Sequence, residues 1–204
     1  LYQNWLNTWV SDGHHYNGGG CAQSSAYNYR ANLSMSRLAG MLGHDPMPFR
    51  ERAEKISKAC QDVLWLRDKG VMAEYIDTIG NKLIHPSPEL ATAYHCIESG
   101  IVDAFQAYQM LRFTETTLRN ERTVARGGRL VWSSDWYPQM YSSCGLYTAE
   151  NIHLAWAYFV CGLSEKGHDL LTAIVDAHFM GYQPGMACHN MTGSGYTSGS
   201  QDFT

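Results

Sequence analysis

SMSRLAGMLGHDPMPFRERAEKI, residues 34–56, decides how this chain folds. Ala31, Met35, Leu38 and Leu42 recur at three- and four-residue steps and Gly43 follows, which predicts a helix over 24–42 capped by Ser24 or Ser25. Two residues later Asp45 and Pro46 open a second helix, with Phe49, Ala53, Ile56, Cys60 and Val63 on one stripe and Gly70 closing the segment. A link as short as Gly43-His44 can only turn the chain back on itself, so the two helices form an antiparallel hairpin.

The same pattern repeats outward from that hairpin. Ser87 and Pro88 start a short helix over 89–98, ended by Ser99-Gly100, and another over 101–119 follows, burying Ile101, Phe105, Tyr108 and Leu111. Thr148 caps a helix with Ile152, Trp156, Phe159 and Leu163 on one face. Ser164 caps the last, with Leu171, Ile174 and Val175, ended by Gly181. Residues 1–10 read as the end of a further helix, and RLVW, 129–132, is the one weak strand candidate. The fold expected is all-α, about six helices in antiparallel hairpins within a single domain spanning 1–204.

Connections alternate in length. Links 43–44, 99–100 and 162–164 are short; 11–23, 67–86, 120–147 and 181–204 are long. Direction reverses at every helix, so all the long connections should emerge at one pole of the stack. That pole collects the glycine runs, the free aromatics and the unpaired carboxylates. The stretch 181–204 shows no helical or alternating period and carries a single carboxylate, Asp202. A long glycine-rich loop of this kind suits binding or proton transfer better than packing.

Composition excludes several classes. With 17% charged residues, a formal net charge of -4 and no Lys/Arg-rich run, the chain lacks the clustered positive charge that nucleic acid requires. No apolar stretch approaches the length of a membrane span. Six cysteines show no CxxC and no zinc spacing, and His14-His15 lacks the spacing of helical metal ligands; no metal or cofactor is assigned. Cys60, Cys96 and Cys161 are expected as buried thiols, and Cys21, Cys144 and Cys188 can form one bridge at most. The compositional signal is 13 Tyr and 6 Trp, rings that pair an apolar face with a polar handle.

The order of the segment 34–56, an LW-x-x-x-KG step, AEYIDTIGNKLIHPSPELATAYH over 73–95 and a loop closing in QDF resembles the six-hairpin (α/α)6 glycosidases. The nearest branch is that of the inverting α-L-fucosidases and uncharacterised relatives from gut Bacteroidetes. That resemblance implies a toroid of twelve helices. This chain would supply the C-terminal half of the catalytic barrel and have the remaining half as its partner. It also implies a carbohydrate substrate and a periplasmic or extracellular location. Asp202 in SQDFT matches the branch's general base. The branch's general acid is a glutamate in the loop preceding the second helix, where SDGHHYNGGGCAQSS offers only Asp12. Glu74 and Asp77 on the next long connection are the substitutes, as acid or as acceptors for sugar hydroxyls.

Single-displacement glycoside hydrolysis needs a protonated carboxyl at the leaving oxygen and an ionised one beside a water, roughly 6.5–9.5 Å apart. Asp202, among Ser and Gly, would stay ionised, whereas Glu74, between Ala73 and Tyr75, could have a raised pKa. Trp132, Trp136, Tyr137 and Tyr141 are candidates for a stacking platform, with at least one of them packing the loop. Asp135, His85, His189, Asn190 and Tyr196 are candidate hydroxyl binders. Glu98, Glu115, Glu150 and Asp176 are expected to be solvated or capping. A polysaccharide lyase or epimerase using Tyr75, His85, His189 and Tyr196, and a glycan-binding toroid without catalysis, are the competing readings.

Overall fold

The computed structural model describes residues 1–3, 19–78, 80–124, 126–136 and 144–185. Six helices are found among them: α1 (Ala22–Met41), α2 (Met47–Val63), α3 (Leu90–Ser99), α4 (Ala104–Thr116), α5 (Thr148–Val160) and α6 (Ser164–Met180). They pair as α1–α2, α3–α4 and α5–α6, and α3 packs on both α1 and α5. The odd helices therefore form one layer. The even ones form a second, in which Gln61 of α2 and Gln106 of α4 exchange side-chain hydrogen bonds of 3.2 and 2.8 Å. Gly100 shows why the short links work. It ends α3 at φ 72, a left-handed conformation that costs glycine little, and Asp103 then caps α4 in a reciprocal box with Gln106.

Strands are more numerous than the sequence suggests. Besides β8 (Arg129–Val131) there are β1 (Tyr2–Gln3), β2 (Gly19–Cys21), β3 (Trp65–Leu66), β4 (Val71–Met72), β5 (Tyr75–Asp77), β6 (Ile84–His85) and β7 (Asn120–Arg122). Tyr2–Gln3 replaces the start of the expected helical end, and residues 4–10 lie outside the described residues. Each strand is two or three residues long, too short for alternation to register in a sequence. All pairings are antiparallel, in the order β1-β2-β5-β6 for the four-stranded sheet, with β3-β4 and β7-β8 as separate hairpins.

The caps and stripes differ in part from expectation. Cys21 caps α1, its sulfur accepting from the Ser24 N–H at 3.4 Å, so Ser24 and Ser25 are already inside the helix. Tyr147 and Leu163 hold the cap positions of α5 and α6, one residue before Thr148 and Ser164. Ala53, Ile56 and Cys60 of α2 are buried as read. On α1, however, Met35, Leu38 and Leu42 are exposed, while Ala22, Ser25, Ala26, Asn32 and Ala39 face inward. On α5 the buried face is Asn151, Leu154, Ala155 and Tyr158, leaving Ile152 and Trp156 in solvent. Phe105 and Tyr108 of α4, and Leu171 and Val175 of α6, are likewise outside. Small residues let neighbouring helices approach closely, and the bulkier stripe is turned away from them. Periodicity finds an apolar stripe but does not say which neighbour covers it. Cys60 and Cys96 are buried free thiols, with burial pushing Cys60 up to about 11; Cys161 is half-buried, Cys21 is buried, and the Cys144 thiol donates to the Ser134 carbonyl at 3.3 Å. No helix among the described residues is long and apolar enough to cross a membrane.

Candidate active site

Three long connections run into the N-terminal ends of α1, α3 and α5, and their backbones are stitched to one another there. Ala22 N–H donates to the Glu74 carbonyl at 3.0 Å, and Leu90 N–H donates to the Ser133 carbonyl at 2.8 Å. The Trp136 indole N–H donates to the Ser87 carbonyl at 2.8 Å, and the Ser87 hydroxyl donates to Asp135 Oδ1 at 2.6 Å. Of the four long connections, 67–86 and the described parts of 11–23 and 120–147 thus meet at one pole. The fourth lies outside the described residues beyond residue 185.

Under these connections sit three buried carboxyls. Glu74 stands between β4 and β5, Glu89 is the N-cap residue of α3, and Glu150 is in the first turn of α5. Glu74 is held on both oxygens. Oε1 accepts from Gln23 Nε2 at 2.8 Å; Oε2 accepts from the Glu89 N–H at 3.0 Å and from the Thr92 hydroxyl at 2.5 Å. These bonds favour the anion, yet desolvation outweighs them and raises the Glu74 pKa to about 7. Glu89 is 1% exposed, and burial, then the Glu74 and Glu150 carboxyls, push it well above the usual carboxylate range. Gln23 Nε2 also lies 3.4 Å from Glu89 Oε2. One amide nitrogen therefore bridges Glu74 and Glu89, so the bridged oxygens are closer together than the roughly 6.5 Å that a water-holding inverting pair needs. Glu74 and Glu89 form one bridged pair of buried carboxyls.

Other expected residues occupy different places. Asp77 is half-buried in β5, its N–H donating to the Leu83 carbonyl at 2.9 Å. His85 stacks on Tyr75 (centroids 5.0 Å, 12° between planes) and meets the edge of Trp136 at 4.9 Å; burial lowers its pKa. Trp136 is 8% exposed and packs the connection down. Trp132 is covered by the Arg119 guanidinium, 3.8 Å from the ring centroid, and its indole N–H donates to Glu121 at 3.0 Å. Asp135 is exposed. Tyr137, Tyr141, His189, Asn190, Tyr196 and Asp202 lie outside the described residues.

Four residues of the pole escaped the sequence reading as site residues: Gln23, Glu89, Thr92 and Glu150. Glu89 carried a signal. Ser, Thr, Asp and Asn are preferred as N-caps, and a glutamate following Ser87-Pro88 at the head of an apolar helix caps poorly. Its side chain makes no capping bond to α3. Glu150 and Asp176, expected to be solvated or capping, are both buried, because α5 and α6 turn those faces toward neighbouring elements rather than water. Glu98 and Glu115 are partnered, Glu98 by His153 at 3.0 Å and Glu115 by Tyr158 and Lys166.

This arrangement of helices is matched by solved structures. The chain is similar to a GH63 mannosylglycerate hydrolase from Thermus thermophilus in complex with Tris, with a TM-score of 0.58 and 18% identity. That match covers 74% of this chain and 35% of the other. The same hydrolase with Tris and D-glycerate matches at a TM-score of 0.60 and 16% identity over 85% of this chain and 42% of that one. The fold is that of the (α/α)6 glycosidases. An uncharacterised conserved protein from the same organism also matches, with a TM-score of 0.60, 16% identity and 85% and 43% coverage. This chain spans less than half the length of these toroids. No family model matches it, and no curated protein is similar to it.

Proposed function

We propose that this chain forms the C-terminal half of a glycoside hydrolase toroid that cleaves oligo- or polysaccharides by single displacement. The observation that carries this reading is the Glu74–Glu89 unit at the N-terminal pole of the inner helices. A carboxyl that stays protonated near neutral pH is what departure of a sugar alkoxide requires. Glu89 holds that proton. Glu74 is a positioning residue, tied to the Glu89 backbone and to Thr92, and it shares Gln23 with the Glu89 carboxyl. When Glu89 gives up its proton, the Gln23 amide is placed to stabilise the anion left behind. The adjacent Glu74 opposes that second charge and favours rapid reprotonation. Substrate reaches the unit by parting the Ser87–Trp136 contact, which is made two residues before Glu89.

Asp202 is the proposed general base, taking a proton from the attacking water, as the resemblance to the inverting α-L-fucosidase branch implies. The half of the toroid outside this chain supplies the opposite wall. Proton NMR of the sugar released by the full-length protein tests the scheme. Single displacement gives the inverted anomer first, and Asp202→Asn should lower turnover by about two to four orders of magnitude. A retained anomer would overturn the mechanism. An unsaturated, absorbing product would overturn the reaction class.

A further inference from the structure

We propose that the groove between the β7–β8 hairpin and α6 is a second, non-catalytic binding site for a neutral sugar, recognised through its hydroxyls. The inference does not rest on the acid unit, and its residues lie outside the proposed catalytic machinery.

The groove encloses about 430 Å³, within the roughly 300–1,000 Å³ typical of small-ligand sites. Its outer wall is the hairpin, through Arg122, Arg126 and Arg129; its inner wall is α6, from Lys166 to Asp176. The hairpin is built tightly onto the helix. A Cβ at Gly128 would stand 2.7 Å from the Ala173 Cβ, so only glycine permits this approach. Thr123 closes the turn in both directions: its N–H donates to the Gly128 carbonyl at 2.8 Å, and its hydroxyl accepts from the Gly128 N–H at 2.9 Å. Glu115 fixes one side of the groove, accepting from Lys166 Nζ at 2.5 Å and the Tyr158 hydroxyl at 3.0 Å, while its carbonyl accepts from Arg129.

Two buried groups in this frame are left over. Neither oxygen of Asp176 accepts a hydrogen bond, and Arg129 Nε–H donates none. The Asp176 side chain is 1% exposed and faces Arg126 Nε at 3.4 Å, whereas Arg126 itself is 65% exposed. Leaving such groups unsatisfied is costly, and native proteins seldom do so without a use. One group needs donors and the other needs an acceptor. A hydroxyl is both, so a polyol carries the donors and the acceptor that the two groups lack. An anionic ligand would meet the Asp176 carboxylate, and a simple cation would meet Arg122, Arg126, Arg129 and Lys166. A neutral polyol meets neither obstacle.

The test is calorimetric titration of the full-length protein with methyl α-D-mannoside, methyl β-D-galactoside and methyl α-L-fucoside, and with glucuronate as the anionic control. At least one neutral glycoside should give a saturable isotherm that survives Glu89→Gln. Its affinity should fall at least about tenfold in Asp176→Asn, which removes a charged acceptor. Thr172→Trp, which fills the groove without touching its charges, should abolish it, and this second variant carries the test if Asp176→Asn does not fold. The proposal is overturned by the absence of saturable binding, by an isotherm that neither variant alters, by one lost in Glu89→Gln, or by preference for glucuronate.

Discussion

At the pole where the connections meet, three carboxyls and an amide are buried; along α1 and α5, Met35, Leu38, Ile152 and Trp156 stand in solvent. Both arrangements invert the usual preference for apolar groups inside and charge outside. They differ in what resolves them. Glu74 finds its donors within the chain, in Gln23 of α1, Thr92 of α3 and the backbone of Glu89, the α3 cap. The apolar stripes find no cover there. In the proposed toroid, the helices that complete the ring would be the cover. A pole that is closed locally and a wall that is closed by the rest of the ring should respond to mutation in opposite ways.

The largest contrast is expected at Trp156, which is 58% exposed. In the complete toroid, Trp156→Asp should destabilise by about 3–5 kcal/mol, because it places a charge against a covering helix. In residues 1–204 alone the same change should cost no more than about 0.5 kcal/mol. Equal effects in urea denaturation of the two proteins would break the comparison.

Glu74 sharpens it from the other side. Its pKa is raised from an ordinary 4.5 to about 7, so the folded state keeps a proton that the unfolded chain has already lost. The stabilisation is therefore complete below pH 4.5 and is lost as pH rises to 7, a fall of about 3 kcal/mol. Denaturation midpoints across that window should show the slope, and Glu74→Gln should flatten it. A smaller effect is expected at Asn151, which joins α5 to β8 by accepting from the Val131 N–H at 2.9 Å and donating to the Val131 and Tyr147 carbonyls. Asn151→Ala should cost about 2 kcal/mol by chemical denaturation, since it strands buried backbone groups. The smallest is at the α4 cap, where Asp103→Ala should lower stability by about 1 kcal/mol.

Helix pairing was legible because it depends on local information. The glycine and proline punctuation at Gly43, Pro46, Gly100 and Gly162 sits at chain reversals, and the alternation of long and short links carried the polar connections to one pole. Facing was harder to read. Leu38 and Trp156 look like core residues in a helical pattern, yet both are exposed, because periodicity marks a stripe and not what covers it. The acid unit was half legible. Glu74 could be picked out between Ala73 and Tyr75, but the bridge between its carboxyl and that of Glu89 runs through Gln23, 51 positions away from Glu74. Trp136 looked like a platform because it lies in a loop; the Ser87 carbonyl that draws it inward comes from another connection.

The central claim is that Glu89 is the proton donor, and leaving-group dependence tests it most directly. An acid is needed for a sugar alkoxide to depart and is dispensable when the leaving group is fluoride. In the full-length protein, Glu89→Gln should therefore cut oligosaccharide hydrolysis by about two to four orders of magnitude while leaving glycosyl fluoride hydrolysis within a few-fold of the parent. Comparable losses on both substrates, or none on either, would contradict it.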